Sequence, residues 1–321
     1  MVTFTSFLAR LGNALIVMVL VALLTFLLID LTPGSYVDDL ATNPQISAET
    51  LERMRVQFGL DQPFYRKFLR WGRSVVQGDF GYSFVYQRPV AQLITERLSN
   101  TVLLNVVALS AAWALGLGLG LAAAASRGSP ADWLIGAATT ILLASPGVVL
   151  AVLLLAAAAR YGFPIGGLSS GADGVSTSER LIDFVRHLIV PAGAIALVWL
   201  PAIARHTRAA LIAALDAPHV LGARARGIGQ RRLLFVHALR EALAPVSTLF
   251  GLSLSAVLSA SLVVEVVMAW PGIGQLAYDA VFKRDIFLVV DLAQLSAILL
   301  LVGNSIADVF LRRLDPRVAD A

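Results

Sequence analysis

Cysteine is absent from the 321 residues, so no disulfide, thiolate metal site or cysteine nucleophile can contribute. Charge is scarce as well: Asp, Glu, Lys and Arg make up 14% of the chain, against about 25% in a soluble domain. Lysine is nearly missing, with Lys67 and Lys283 the only two among 25 basic residues. Apolar residues fill the space: they reach 58%, and mean hydropathy is +0.78, values that belong to a chain folded in a bilayer. A net charge of +4 and a pI near 9.7 do not indicate nucleic-acid binding, because the arginines gather in segments flanking apolar runs.

Motifs for chemistry are lacking too. No G-x-x-x-x-G-K-[ST] phosphate loop occurs. The run GLGLG at Gly116–Gly120 lies inside an apolar stretch with no strand before it, and its Gly-xxx-Gly spacing suits close helix packing. His187, His206, His219 and His237 lack metal-ligand spacing, and no Ser-His-Asp set or carboxylate pair stands out. No internal repeat and no low-complexity segment is evident. The chain is therefore read as a non-enzyme that binds neither ATP, metal nor other cofactor itself.

Six segments are long and apolar enough, or nearly so, to span a membrane at roughly 20 residues each. They are Leu11–Ile29, Thr101–Ala125, Trp133–Ala159, Leu188–Ala204, Ala242–Val264 and about Ile286–Ala307. The first exceeds the ~7–15 residues of a signal-peptide core and is read as a retained span. The fourth is the shortest and carries Pro191 and Pro201. The expected fold is an all-α integral membrane protein with six transmembrane helices. A cytoplasmic N-terminus places twelve basic residues on the inner side and five in the short outer loops, so both termini are expected in the cytoplasm. The expected organisation is residues 1–30 as N-terminus and first span, 31–100 as a small helical segment outside the membrane, 101–311 as a five-helix core, and 312–321 as a cytoplasmic tail. Within 31–100, Ser47 is placed to cap a helix bearing Leu51, Met54 and Phe58 on one face and ended by Gly59. Pro63 starts a second, with Phe64, Phe68, Trp71 and Val75 aligned. A cap packed on the membrane surface is favoured over a substrate-binding domain, since roughly 70 residues of short helices bury little core alone.

The most informative stretch is a basic loop in the core, residues 205–241. Seven arginines (Arg205, Arg208, Arg224, Arg226, Arg231, Arg232, Arg240) face one acid, Asp216, before Glu241 closes it. Such a loop stays in the cytoplasm and reads as a docking surface for a soluble partner. Polar residues inside the spans form the second candidate set. Glu265 ends the fifth span and Asp291 lies early in the sixth, where each can mark a pathway or simply reach the interface or cap a helix. Thr248, Gly251, Ser255 and Ser259 share a face that suits pore lining and close helix contact equally. Pro146, in ASPG, can bend the third span and free a backbone carbonyl.

Taken in order, several fragments resemble the permease subunits of binding-protein-dependent ABC importers, in the dipeptide/oligopeptide/nickel branch. LTPGSYVDDL resembles that branch's Leu-Pro-Gly turn, and FGLDQPFYRKFLRW with GDFGYSFVYQRPV resembles its outer domain. ARARGIGQRRLLFVHALREALAPV resembles its coupling motif, VVEVVMAWPGIGQLAYDAVFKRD the segment ending its fifth span, and LDPRV its C-terminal close. The resemblance implies a type I importer fold and a pseudo-symmetric pair with a second, usually different, permease chain. It implies two cytoplasmic ATPase subunits or domains holding ATP and Mg, and an external solute-binding protein. It implies a short helix at about Pro218–Arg226 seated in an ATPase groove, with Gly227 and Gly229 turning the chain back. Pro218, His219, Gly222, Ala223, Arg224, Ala225 and Arg226 are then the expected coupling residues. Ala223 and Ala225 would keep the surface small, and Arg224 and Arg226 would pair with acids. Closure of the ATPases would switch the path between inward- and outward-facing states. The chain departs from the family pattern at Pro218 and His219, at Leu221–Ala223 where Glu-Ala-Ala is usual, and at Gly147 and Val148 where Phe-Trp is usual. Two other classes remain open: an ion-gradient-driven secondary transporter using Glu265 or Asp291, and a non-transporting membrane scaffold.

Overall fold

The computed structural model of the chain describes residues 4–32, 34, 37, 41, 47–58, 62–171 and 176–314. Its elements in chain order are α1 Phe4–Leu31, α2 Ala48–Phe58, α3 Phe64–Val76, a two-residue antiparallel ribbon of β1 Tyr82–Ser83 and β2 Arg88–Pro89, α4 Val90–Ala125, α5 Pro130–Ala144 and α6 Gly147–Arg160. There follow α7 Thr177–Leu215, α8 Pro218–Ala225, α9 Gln230–Arg232, a π-helical stretch Leu233–Ala238, α10 Leu239–Val267, α11 Ile273–Phe282 and α12 Ile286–Leu314. The fold is all-α, and each of the six predicted spans falls on helix. Among the described residues, four helices (within α1, α4, α7 and α12) are long and apolar enough to cross a membrane, and the α5–α6 pair makes a fifth if counted as one span. The chain divides into two compact units, Met1–Asn100 with Gly272–Leu301, and Thr101–Pro271 with Val302–Ala321.

Two predicted spans change character. The third is not a bent helix but a broken one: α5 and α6 meet at 107°. Ser145, ahead of Pro146, is pushed to an extended conformation (φ −86°, ψ 127°), as a residue before proline prefers, and Pro146 caps the new helix. The fourth, expected to be the shortest at Leu188–Ala204, is the longest helix among the described residues, at 39 residues. Arg180, Asp183, Arg186 and Arg205 end the apolar run but not the backbone hydrogen bonding, so hydropathy undercounts the helix. Ser176 and Glu179 form a full capping box at its start. Pro191 and Pro201 lie inside the helix and are both buried.

In the second unit α7 is the central element, packed by α10, α5 and α6. The Gly116–Gly120 spacing does let helices approach. A Cβ added at Gly120 would stand 2.6 Å from the Ala204 carbonyl oxygen and 2.6 Å from Thr207 Cβ, and one at Gly116 2.8 Å from Ile203 Cβ. Gly118 faces away, with nothing within 4 Å. In the first unit the predicted stripe of α3 faces inward: Trp71 is buried and Phe64, Phe68 and Val75 are half-buried, packed with Ala22, Phe26 and Ile29 of α1 and with Val290. Ser47 accepts the Thr50 amide at 3.2 Å, as its capping role requires. Gly59 and the side chains of Met54 and Phe58 lie outside the described residues. The ribbon is an unpredicted addition to the helical 31–100 segment.

Candidate coupling site

The basic segment is mostly helix, not loop. α7 runs through Arg205 and Arg208 to Leu215, and Asp216 caps its end. Ala217 then takes an extended conformation (φ −67°, ψ 141°), and Pro218 occupies the first turn of α8, where its missing N–H costs nothing. The inner face of α8 is Val220 and Ala223, buried with Leu233 and flanked by Leu215, Ala217 and Ile228. Ala223 therefore packs into its own chain and is not on the free surface expected for it. The exposed face carries Pro218, His219, Leu221, Gly222, Arg224, Ala225 and Arg226.

The turn after α8 is a complete Schellman motif. Arg226 is the C-cap, and Gly227 adopts φ +81°, a region that L side chains rarely enter. The Gly227 N–H donates to the Arg224 carbonyl at 3.0 Å and the Ile228 N–H to the Ala223 carbonyl at 3.3 Å. Gly229 takes no part in this reversal: at φ −63°, ψ 148° it is ordinary extended backbone before α9.

Three contacts fix the neighbourhood of α8. His219 Nε2 lies 3.1 Å from Glu241 Oε2 on α10. Arg127, in the α4–α5 connection, reaches both oxygens of Asp216 at 3.1 and 3.0 Å. Arg208 meets both oxygens of Asp132 in the first turn of α5, at 2.6 and 2.7 Å, and Asp132 also accepts the Gly128 amide. By contrast Arg224, Arg226, Arg231, Arg232 and Arg240 are exposed, and among the described residues none has a carboxylate partner. The sequence signals Asp132 and Arg127 only as isolated charges near a span end, so their pairing with α7 was not foreseeable from spacing.

The intramembrane set resolves differently. Glu265 is fully buried and accepts a hydrogen bond from the Thr101 hydroxyl at 2.9 Å. Asp291 is also buried and accepts the Trp71 indole N–H at 2.9 Å; the second oxygen has no hydrogen-bond partner among the described residues. Each therefore has a hydrogen-bond partner far away in sequence, on another element. Asn105, one turn after Thr101 on α4, is buried with both side-chain polar atoms unpartnered among the described residues, a feature sequence reading missed. Pro146 stands at the α5–α6 break. The side chains of Thr248, Gly251, Ser255 and Ser259 lie outside the described residues, although their backbone belongs to α10. Outside the spans, burial holds the Asp285 carboxyl above its ordinary range despite donors that include Ser83 and the Val85 amide.

Comparison with known proteins is consistent along the whole chain. Residues 116–320 match the family model for the binding-protein-dependent transport system inner membrane component, and residues 1–105 match that for its N-terminal part. The oligopeptide transport system permease protein AppB of Bacillus subtilis is 34% identical over 93% of this chain and 94% of its own length. The di/tripeptide transport system permease protein DppB of Pseudomonas aeruginosa is 33% identical over 98% of both chains. Among solved structures, an amino acid ABC transporter chain aligns with a TM-score of 0.55 at 17% identity, covering 70% of this chain and 94% of its own, a likeness of fold. The chain belongs to the binding-protein-dependent transport system inner membrane component family, the permeases of ABC importers.

Proposed function

We propose that this chain forms half of the translocation pathway of an ATP-driven importer for peptides or a related small solute, and that α8 couples it to a separate ATPase. The observation that carries the reading is α8 itself: an eight-residue helix anchored on one face and capped by a Schellman turn, with exposed, unpaired arginines on the other. A surface of this kind suits a groove lined with acids on a soluble partner. ATP and Mg belong to that partner, of which two copies or domains serve the complex. A second permease chain, an external solute-binding protein and the bilayer complete it. The basic residues orient both termini to the cytoplasm of a cell, or inner, membrane. The peptide substrate class rests on the names of AppB and DppB. Rigid-body movement of α8 on ATPase closure would switch the path between its two states.

The test is assembly and coupling. Reversing Arg224 and Arg226 to Glu should weaken co-purification of the ATPase and depress solute-stimulated hydrolysis in proteoliposomes. A variant complex as stable and as active as wild type would remove α8's arginines from the contact. Transport in the absence of any ATPase subunit, collapsed by an uncoupler, would instead assign the chain to gradient-driven carriers.

A further inference from the structure

A cavity of about 390 Å³ lies within the first unit. Its walls come from α1, α3, the segment leading into the ribbon, and the start of α12. The floor is aromatic, with Phe26, Trp71 and Phe287. Arg66, Lys67 and Arg70, adjacent on α3, line it as well, against a single carboxylate, Asp79. Lys67 is paired with Asp30 at the end of α1, and Asp79 accepts the Gly81 amide. Arg66 lies over the Tyr65 ring at 5.8 Å, and among the described residues Arg70 has no carboxylate partner. The chemistry is that of a site for an anion with an apolar body.

Depth identifies the occupant. Phe26 lies five residues before the end of α1, and Asp291, which holds the Trp71 indole, five residues after the start of α12. At about 1.5 Å per residue Phe26 sits roughly 7 Å inside the end of its span and Phe287 roughly 2 Å inside the start of the other, while the Lys67–Asp30 pair marks the end itself. Cations at the boundary and aromatic rings just below it match a phospholipid at the interface. Beside Phe26, α1 leaves Leu23, Leu24, Leu27 and Leu28 exposed, and Tyr65, Leu69 and Val76 leave a second apolar stripe of α3 exposed, so apolar surface continues outward from the cavity. A soluble anion would use the cations and leave the floor bare.

We infer that this cavity binds an anionic phospholipid, its phosphate between Arg66 and Arg70 and its acyl chain along Phe26 and Trp71. The membrane reading fixes the depth, and the cytoplasmic orientation proposed above decides only which leaflet supplies the lipid. Native mass spectrometry of the intact detergent-purified complex, with phosphatidylglycerol or phosphatidylethanolamine added, tests it. Wild type should retain phosphatidylglycerol over phosphatidylethanolamine on the order of ten- to thirty-fold, from two arginines near the headgroup. Arg66→Gln with Arg70→Gln should abolish the preference, and Arg66→Lys with Arg70→Lys should keep most of it. Both variants change exposed side chains, and an unchanged melting profile verifies their folding. Equal retention of the two lipids, or a Gln variant indistinguishable from wild type, would overturn the assignment. So would full displacement of the lipid by millimolar inorganic phosphate, which would make this a soluble-phosphate site. None of these readouts depends on ATPase binding, so a failure here and a failure of the coupling reading are separable.

Discussion

Gly227→Val probes the backbone requirement of the turn that ends α8. A Cβ built at Gly227 meets no heavy atom within 4 Å, so the substitution introduces no clash. What it introduces is a β-branched residue at φ +81°. Holding that conformation costs about 1–3 kcal/mol. The chain can escape by giving up the two turn bonds, Gly227 N–H to Arg224 and Ile228 N–H to Ala223, at about 1 kcal/mol each. The cheaper route sets the effect, so local destabilisation of about 1–2 kcal/mol is expected, or roughly a five- to thirty-fold rise in the uncapped population. Hydrogen exchange at the Ile228 amide should accelerate by that factor in the purified complex. In proteoliposomes with the ATPase and binding protein, solute imported per ATP hydrolysed should fall. Gly229→Val is the matched control, because Gly229 is extended at φ −63° and also open, so it should behave as wild type. Wild-type exchange and coupling in Gly227→Val, or an equal defect in Gly229→Val, would refute the reasoning.

Gly222→Ala should stabilise α8 by up to about 1 kcal/mol through helix propensity, since nothing lies within 4 Å, yet weaken ATPase association if that exposed face is seated closely; stronger association would place the contact elsewhere. Gly120→Val should overpack the α4–α7 contact and cost about 1–3 kcal/mol in detergent thermal stability, whereas Gly118→Ala should be neutral or stabilising; equal effects would contradict the asymmetric contact. Trp71→Phe removes the donor to a buried carboxylate and should cost about 1–3 kcal/mol, part of it recovered by adding Asp291→Asn, and a melting profile unchanged by the first substitution would refute the bond. Asp132→Asn and Arg208→Gln should each lower thermal stability but combine less than additively; strict additivity in the double-mutant cycle would mean the two residues do not interact.

Local requirements were the legible ones. A glycine that ends a helix is a φ requirement confined to a few residues, and the α8 bounds that the family resemblance implied lie within one position of the observed ones. The α3 stripe was equally plain, because Phe64, Phe68, Trp71 and Val75 recur at helical spacing and an aromatic face has to be covered. The fourth span shows the opposite case. Hydropathy stops at a charge, whereas backbone hydrogen bonding continues past Arg205 to Leu215. Which way Ala223 faces was not legible either, since an eight-residue helix with Gly222, Ala223 and Ala225 in succession has no strong apolar stripe. Trp71 and Asp291 stand 220 residues apart, and nothing local to either one announces the other.

The two ion pairs on α7 bear on how a push at α8 could travel. They run in opposite senses: the α4–α5 connection supplies the cation Arg127 to Asp216, and α5 supplies the anion Asp132 to Arg208. Along the helix their attachment points are eight residues apart, or about 12 Å. The Asp132 bridge ties the first turn of α5 to α7, and the Arg127 bridge ties the connection just ahead of it. The Arg127–Asp216 pair adds little stability, because both side chains are more than half exposed, whereas the Arg208–Asp132 pair, with Asp132 buried, is the one that thermal stability should register. α8 joins α7 through Asp216 and Ala217, rests on Leu233, and sets His219 3.1 Å from Glu241 of α10. A displacement of α8 is therefore shared by α7 and α10, and through the paired bridges by α5. The 107° break between α5 and α6 then marks where that displacement can stop being transmitted along the helix axis, since no helical hydrogen bonding carries rigidity across Ser145 and Pro146.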